Sequence, residues 1–190
     1  TYQGDLNFNG SDTLTVVSTD SAGVALTDTD TVAITVAPIN DAPVNTVPGA
    51  QSVDEDTVLA FTGGALISAT DVEGLASTQL SVDDGVLNVT LSGAATFVGN
   101  GTGTLTISGS ETDINATLAS LTYQGDLNFN GSDTLTVLST DNDGVALTDT
   151  DTVAITVGPV NDAPVNTVPG AQTVDEDTVL AFTGGALISA

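Results

Sequence analysis

The chain contains no Lys, Arg, His, Cys, Met or Trp. With no cationic side chain it cannot neutralise phosphate, which excludes nucleic acid, nucleotides and anionic lipid headgroups as electrostatic partners. The same absences remove the usual bases, nucleophiles and charge clamps of catalysis. Paired carboxylates alone would leave glycosidase-type chemistry, which leans on aromatic platforms for sugar. Two Tyr and five Phe in 190 residues are too few to supply them, so an enzyme is not expected. Without Cys there are no disulfides, thiolate metal sites or thiol nucleophiles. No apolar run approaches the roughly 20 residues that span a bilayer, and there is no basic leader-like N-terminal stretch. Membrane insertion is therefore not expected, and any export signal would lie outside this sequence.

What is present is acid. Asp and Glu number 25, for a formal charge of −25. Asp supplies 21 of these and Glu four, a bias towards the acid that favours turns and oxygen-ligand loops. A chain this charged would stay disordered if it were also poor in apolar residues, but 40% of it is hydrophobic. The apolar residues are mainly Val, Leu, Ile and Ala interleaved with Thr, a mixture that suits strands because β-branched side chains pack well on a pleated surface.

An internal repeat organises the sequence. Residues 1–69 and 122–190 are offset by 121 positions and differ at only six of them, among them Ala22 against Asp143 and Ala37 against Gly158. A period this long fits a whole domain repeated in tandem better than a solenoid unit. Turn formers and Pro cluster in Ala37–Pro48 and again in Gly158–Pro169, marking short, stiff linkers, since Pro fixes its own backbone and biases the residue before it towards extended geometry. The expected division is a C-terminal part of one repeat in 1–41, a complete repeat in 42–162, and an N-terminal part of the next in 163–190. Both ends then read as cut within a repeat.

Inside the complete repeat the pattern is nearly all strand. Leu80/Val82, Leu87/Val89/Leu91, Leu105/Ile107, Leu135/Val137 and Val153/Ile155/Val157 alternate with Thr, Ser or Asn. Asp84-Gly85, Asn100-Gly101, Asn130-Gly131 and Asp143-Gly144 supply the turns between them. Many short strands so spaced predict an all-β sandwich. One helical turn is expected over Glu111–Leu121, where Ile114, Leu118 and Leu121 fall at i, i+4 and i+7 behind Ser110. Phe61, Phe97 and Phe129 read as core plugs.

In Leu147–Val157 the odd-numbered side chains run Leu, Asp149, Asp151, Val153, Ile155, Val157. Strict alternation puts two carboxylates on the core-facing side, unless a bulge intervenes or they lie at the open end of the sandwich. Two carboxylates about 5 Å apart repel by roughly 3 kcal/mol at an effective dielectric of 20. No side chain of this sequence offsets that, and a bound cation would. Oxygen-only ligands point to Ca2+ over transition metals. Against this, Thr-Asp alternation also describes a plain solvated strand face, and Asp133, Asp141 and Asp143 read as turn formers. Asn88-Val-Thr, Asn100-Gly-Thr and Asn115-Ala-Thr match glycosylation sequons, which chance produces readily in a chain rich in Asn and Thr.

Asn40-Asp41-Ala42-Pro43, recurring as Asn161-Asp162-Ala163-Pro164, resembles the calcium-binding interdomain linker of cadherins. Val53-Asp54-Glu55-Asp56-Thr57 is similar to that family's Glu-containing motif near the first strand, and it recurs with Glu176 in the place of Glu55. Ser68-Ala69-Thr70-Asp71-Val72-Glu73-Gly74 resembles its Ala-x-Asp-x-Asp motif, with Glu in the last acidic place. Leu80–Leu87 resembles the strand pair before the family's Arg-containing motif, which has no counterpart in a chain without Arg. The second half, from Thr112-Asp113-Ile114-Asn115 through Asn130-Gly131-Ser132-Asp133-Thr134, is similar to the cadherin-related repeats of very large bacterial surface proteins, including biofilm and RTX-type adhesins.

The resemblance implies a cadherin-like or immunoglobulin-like β-sandwich repeated in tandem, secreted or displayed on a bacterial cell surface, with Ca2+ at each junction. The ligands it implies are Asn40, Asp41, Glu55, Asp71, Glu73, Asn161, Asp162 and Glu176, to which the charge argument adds Asp149 and Asp151. The implied role is structural, a calcium-rigidified stalk that extends an adhesin whose tip ligand the sequence does not identify. Adjacent repeats of the same chain are the expected partners. The alternative is homotypic assembly into an extracellular filament or matrix.

Overall fold

A computed structural model describes residues 1–189. In chain order the elements are β1 (Gly10–Thr19), β2 (Thr27–Val36), β3 (Val44–Thr46), β4 (Gln51–Asp54), β5 (Val58–Ala60), β6 (Ser68–Thr70), β7 (Leu75–Ser81), β8 (Gly85–Asn88), β9 (Thr96–Val98), β10 (Thr104–Ser108), α1 (Glu111–Leu118), β11 (Thr122–Gly125), β12 (Gly131–Asp141) and β13 (Thr148–Gly158). Single 3-10 turns occur at Gly63–Ala65 and Gly184–Ala186.

The fold is an all-β sandwich. One layer is a six-stranded sheet in the order β4-β13-β12-β7-β10-β9; the other combines the three-stranded sheet β5-β11-β8 with the pair β3-β6. All ladders are antiparallel except β13 with β4. The alternation read from the sequence decides which residues meet between the layers. Leu80, Leu105, Ile107, Leu135 and Val137 come from the large sheet, Leu87 and Tyr123 from the small one, and each is fully buried at 0% exposure. Burying such side chains contributes roughly 1.5–3 kcal/mol each. The Asp84-Gly85 turn lets β8 lie tightly against β11: a Cβ on Gly85 would stand 2.5 Å from the Gln124 carbonyl oxygen, so only Gly fits there.

The single helix forms where expected and ends three residues sooner than the expected span. Ser110 caps α1 by accepting the Asp113 amide at 3.2 Å, and Ile114, Leu118 and Leu121 all point into the core. Two apolar expectations need correction. Leu91 is 45% exposed because it follows the end of β8, and Phe97 is 36% exposed because β9 is the outer strand of its sheet and is covered on one side only. Phe61 is fully buried and Phe129 packs against the core as a partly buried side chain.

The hairpin β1–β2 repeats β12–β13 in sequence and in register, Gly10 opposite Val36 as Gly131 is opposite Val157. Its surroundings differ. Leu14, Val16 and Val32 are 51%, 48% and 52% exposed, whereas their copies Leu135, Val137 and Val153 are at most 1% exposed. Among the described residues every member of the buried hydrophobic core lies between Phe61 and Val157.

Candidate metal centre

The linker Asn40-Asp41 meets the open end of the sandwich where β12 ends, β13 begins and the β6–β7 loop passes. Asn40 donates from Nδ2 to Asp141 Oδ2 at 2.6 Å and to the Val145 carbonyl at 3.0 Å. The Asp41 amide donates to Glu73 Oε2 at 3.4 Å. Asp71 shapes the loop: its Oδ1 accepts the amides of Glu73 and Gly74 at 2.9 and 2.8 Å, and its own amide donates to Glu111 Oε2 at 3.0 Å. A run of contacts therefore joins Asp141, Asn40, Asp41, Glu73, Asp71 and Glu111. Asp41 and Glu73 also line a cavity of about 220 Å³ that reaches Asn7, Phe8 and Asn9 beyond the linker.

This junction leaves oxygens without donors. Asn40 Oδ1, Asp71 Oδ2 and Asp141 Oδ1 are buried and unpartnered. A buried polar atom lacking a hydrogen bond costs about 1–3 kcal/mol, and more when charged. All three are hard oxygen donors of the kind that calcium takes. The residues therefore fit a hard divalent cation in chemistry. Among the described residues no group of three or more acidic side chains is placed to hold a metal ion.

The remaining sequence-expected ligands fall elsewhere. Asp149 and Asp151 lie at the same end, half-buried and in the core-facing register, with no bulge between β12 and β13. Asp149 is engaged, since its Oδ2 accepts the Asn45 amide at 2.8 Å. Glu55 lies at the opposite end beside the second linker and is 4% exposed; it accepts the Val160 amide and, at 3.2 Å, Asn130 Nδ2. Asn161, Asp162 and Glu176 are exposed. The structure thus brings Asn40, Asp41, Asp71 and Glu73 near one another at one end of the sandwich and places Glu55 at the other, bonded to Val160 and Asn130.

Two members escaped sequence reasoning. Asp141, a turn former on the sequence pattern, is 2% exposed and bonds to Asn40 of the linker. Its odd-numbered place in β12, continuous with Leu135 and Val137, was the available signal. Glu111, which the sequence marks only as part of the helix, accepts the Asp71 amide. Conversely, Asp133 has the buried, donor-rich setting of a structural carboxylate. It accepts the amides of Asp83, Asp84 and Thr134 at 3.2, 3.2 and 2.7 Å and the Tyr123 hydroxyl at 3.0 Å. Burial and then that hydrogen bond push Tyr123 ionisation above the ordinary phenol range. Asn115 is also structural: its amide pairs with both the N–H and the C=O of Ala69 at 3.0 and 2.8 Å, which removes it as a glycan acceptor.

A family model described as Protein GAMETE EXPRESSED 2 domain matches residues 77–150, from within β7 into β13. No curated protein matches the chain. Among solved structures, protocadherin gamma B2 extracellular cadherin domains 3–6 is similar at 18% identity over 88% of this chain, with a TM-score of 0.43. A protocadherin gammaB7 EC3–6 cis-dimer structure is similar at 20% identity over 88% of this chain, with a TM-score of 0.42. The chain spans 36% of the length of each of these.

Proposed function

We propose that this chain is an extender segment of a large extracellular adhesin of the bacterial surface type, with 42–162 as its repeating unit and 1–41 and 163–190 belonging to neighbouring units. Its work is mechanical and involves no catalysis. The observation that carries the reading is the set of buried, donorless oxygens on Asn40, Asp71 and Asp141, joined to Asp41 and Glu73 across the linker. Calcium is the cofactor this donor set supports. Asn40, Asp41, Asp71, Glu73 and Asp141 would hold it, with Asp149, Asp151 and Glu111 close by. At the second junction Glu55, Asn161 and Asp162 would take part, and Glu176 would do for a further junction what Glu55 does here.

Bound calcium supplies positive charge where the chain has none. The protein's own residues do the rest. Pro38 and Pro43 stiffen the linker, Asn40 fastens it to β12 through Asp141, and the Asp71 turn presents Glu73 to Asp41. A chain of such junctions converts length into reach. Small-angle scattering on several joined repeats, in calcium and in chelator, tests this: maximum dimension and melting temperature should both fall in chelator. Curves that superimpose would refute the reading.

A further inference from the structure

The chain enters the complete repeat and leaves it along the same strand. Asn45 of β3 meets β13 at Asp149, near its start, and β4 then runs beside the end of β13, from Gln51 opposite Ile155 to Asp54 opposite Gly158. That pairing is parallel, whereas the other ladders among the described residues are antiparallel. Direction matters when the repeat is pulled by its two ends. Load entering at Val44 draws β3 and β4 backwards along β13, and load leaving at Gly158 draws β13 forwards. Parallel strands loaded in this way slide past each other, and the bonds between them must yield together. An antiparallel pair held at adjoining ends would instead open one bond at a time.

Polar groups close this contact at both ends. The amide of buried Asn45 donates to Asp149 Oδ2 at 2.8 Å, and its Nδ2 donates to the carbonyls of Asp149 and Val137 at 3.0 and 3.4 Å. Its Oδ1 accepts the buried Ser139 hydroxyl at 2.6 Å, which in turn lies 3.0 Å from the Thr78 hydroxyl. One side chain therefore ties the entering segment to β13 and β12, and through Ser139 to β7. At the other end the Glu55 amide donates to the Gly158 carbonyl at 2.8 Å. The buried Glu55 carboxylate accepts the Val160 amide and, at 3.2 Å, Asn130 Nδ2. Where water cannot step in to replace a broken bond, breaking it is expensive, and that is the property a loaded contact requires.

We infer that the contact of 44–55 with β13, closed by Asn45 and Glu55, is the force-bearing clamp of the repeat: it fails first under tension and sets the load that the repeat survives. The inference rests on the extender reading for its use, since a stalk is loaded through its two ends. The clamp itself belongs to the single repeat, and its bonds run from protein to protein without an ion. Much of the sandwich lies outside the load path. Strand β10 is four places from β4 in the large sheet, and its Leu105 is buried between the layers.

Single-molecule force measurement on the full chain tests this, and a chain without Cys takes handles only where a Cys is introduced. With a Cys added at each terminus, the molecule is held at constant load in calcium and the lifetime before the release of 42–162 is recorded. Forced unfolding follows the unfolding rate, so Asn45→Ala should shorten that lifetime about tenfold or more. Leu105→Ala should lower stability in urea at least as much, yet shorten the loaded lifetime less than about threefold, because its contacts persist while the clamp slides. Moving the N-terminal handle to Thr57→Cys, just past β4, sets both handles at the Gly158 end, so the clamp peels. With Asn45 intact, failure in that direction should come at least about tenfold sooner. Should Asn45→Ala not fold, the comparison of directions decides alone. Both contrasts should persist in chelator. Equal lifetimes in the two directions, a Leu105→Ala effect as large as that of Asn45→Ala, or contrasts that vanish in chelator would overturn the inference. Scattering curves that superimpose would overturn the extender reading and leave the clamp standing.

Discussion

The two hairpins provide an internal control on what holds this fold together. Leu14 and Leu135 lie in the identical stretch Ser-Asp-Thr-Leu-Thr-Val and in the same ladder position, opposite Val32 and Val153. Replacing each by Ala therefore changes strand propensity and unfolded-chain behaviour equally, and those contributions cancel in the comparison. What differs is cover: Leu135 is 0% exposed and Leu14 is 51% exposed. Leu135→Ala loses about 0.8 kcal/mol for each of three buried carbons and leaves a cavity between the sheets, for a total near 3 kcal/mol and within the roughly 2–5 kcal/mol range of core truncations. Leu14→Ala, half covered and able to relax into solvent, should cost about 1 kcal/mol or less. Urea unfolding followed by circular dichroism measures both as midpoint shifts at constant slope. Equal shifts would show that the apolar face of β1–β2 is covered in solution and would refute the assignment of the core to 61–157.

Further predictions follow from the carboxylates and the buried phenol. In differential scanning fluorimetry with an extrinsic dye, Asp41→Asn and Asp141→Asn should each abolish most of the calcium-dependent melting shift, while Asp83→Asn, whose side chain is exposed, should retain it. Asp133→Asn should lower melting equally with and without calcium, because that carboxylate serves amides and Tyr123 and not the junction. Tyr123 has a folded ionisation constant raised above its unfolded value near 10, so the stability it confers is fully present below about pH 10 and is lost as pH rises through the folded value. Difference absorbance titration of the native chain against Tyr123→Phe should show this phenol ionising only as the fold is lost, and ionisation near pH 10 in a folded chain would contradict the buried pairing.

Local conformation was legible because it repeats with the sequence. Asn7 and Asn128 have φ of 59° and 58°, and Asp56 and Asp177 of 59° and 60°, although one member of each pair belongs to the covered repeat and the other does not. Asn and Asp tolerate this left-handed backbone, so four residues suffice to specify the turn. Strand alternation, the Ser110 cap and the Asp-Gly turns are local in the same sense. Cover is not local. Phe97 and Phe61 look alike in the sequence, and only the place of β9 at the rim of its sheet exposes the first.

The acids show the same division. Asp41, Asp71 and Glu73 were legible as a set because the Asn-Asp-Ala-Pro linker and the Ser68–Gly74 segment each resemble a cadherin calcium motif. Asp141 joins them only through the fold, since Asn40 reaches it across 101 positions. Asp133 and Asp141 flank the same alternating run of β12 at odd-numbered positions, and both are buried. Their roles separate because the β7–β8 loop brings two amides and Tyr123 brings a hydroxyl to Asp133, while Asp141 receives one Asn amide and keeps Oδ1 bare.

Strand β13 states in one line how a chain without cations can fold at all. Along its inward face the side chains pass from Asp149 and Asp151, half-buried at the open end, to Val153, Ile155 and Val157, at 1%, 1% and 3% exposure in the interior. Its outward face is Thr148, Thr150, Thr152, Ala154 and Thr156, without charge. Moving Asp151 two positions along, to the place of Val153, would bury a carboxylate where no cation could reach it, at a cost of several kcal/mol. Placed at the end, both acids stay half-buried, and Asp149 accepts the Asn45 amide at 2.8 Å. The distribution of charge along the strand therefore keeps carboxylates out of the interior, and in the extender proposed above the same distribution would set them where repeats join.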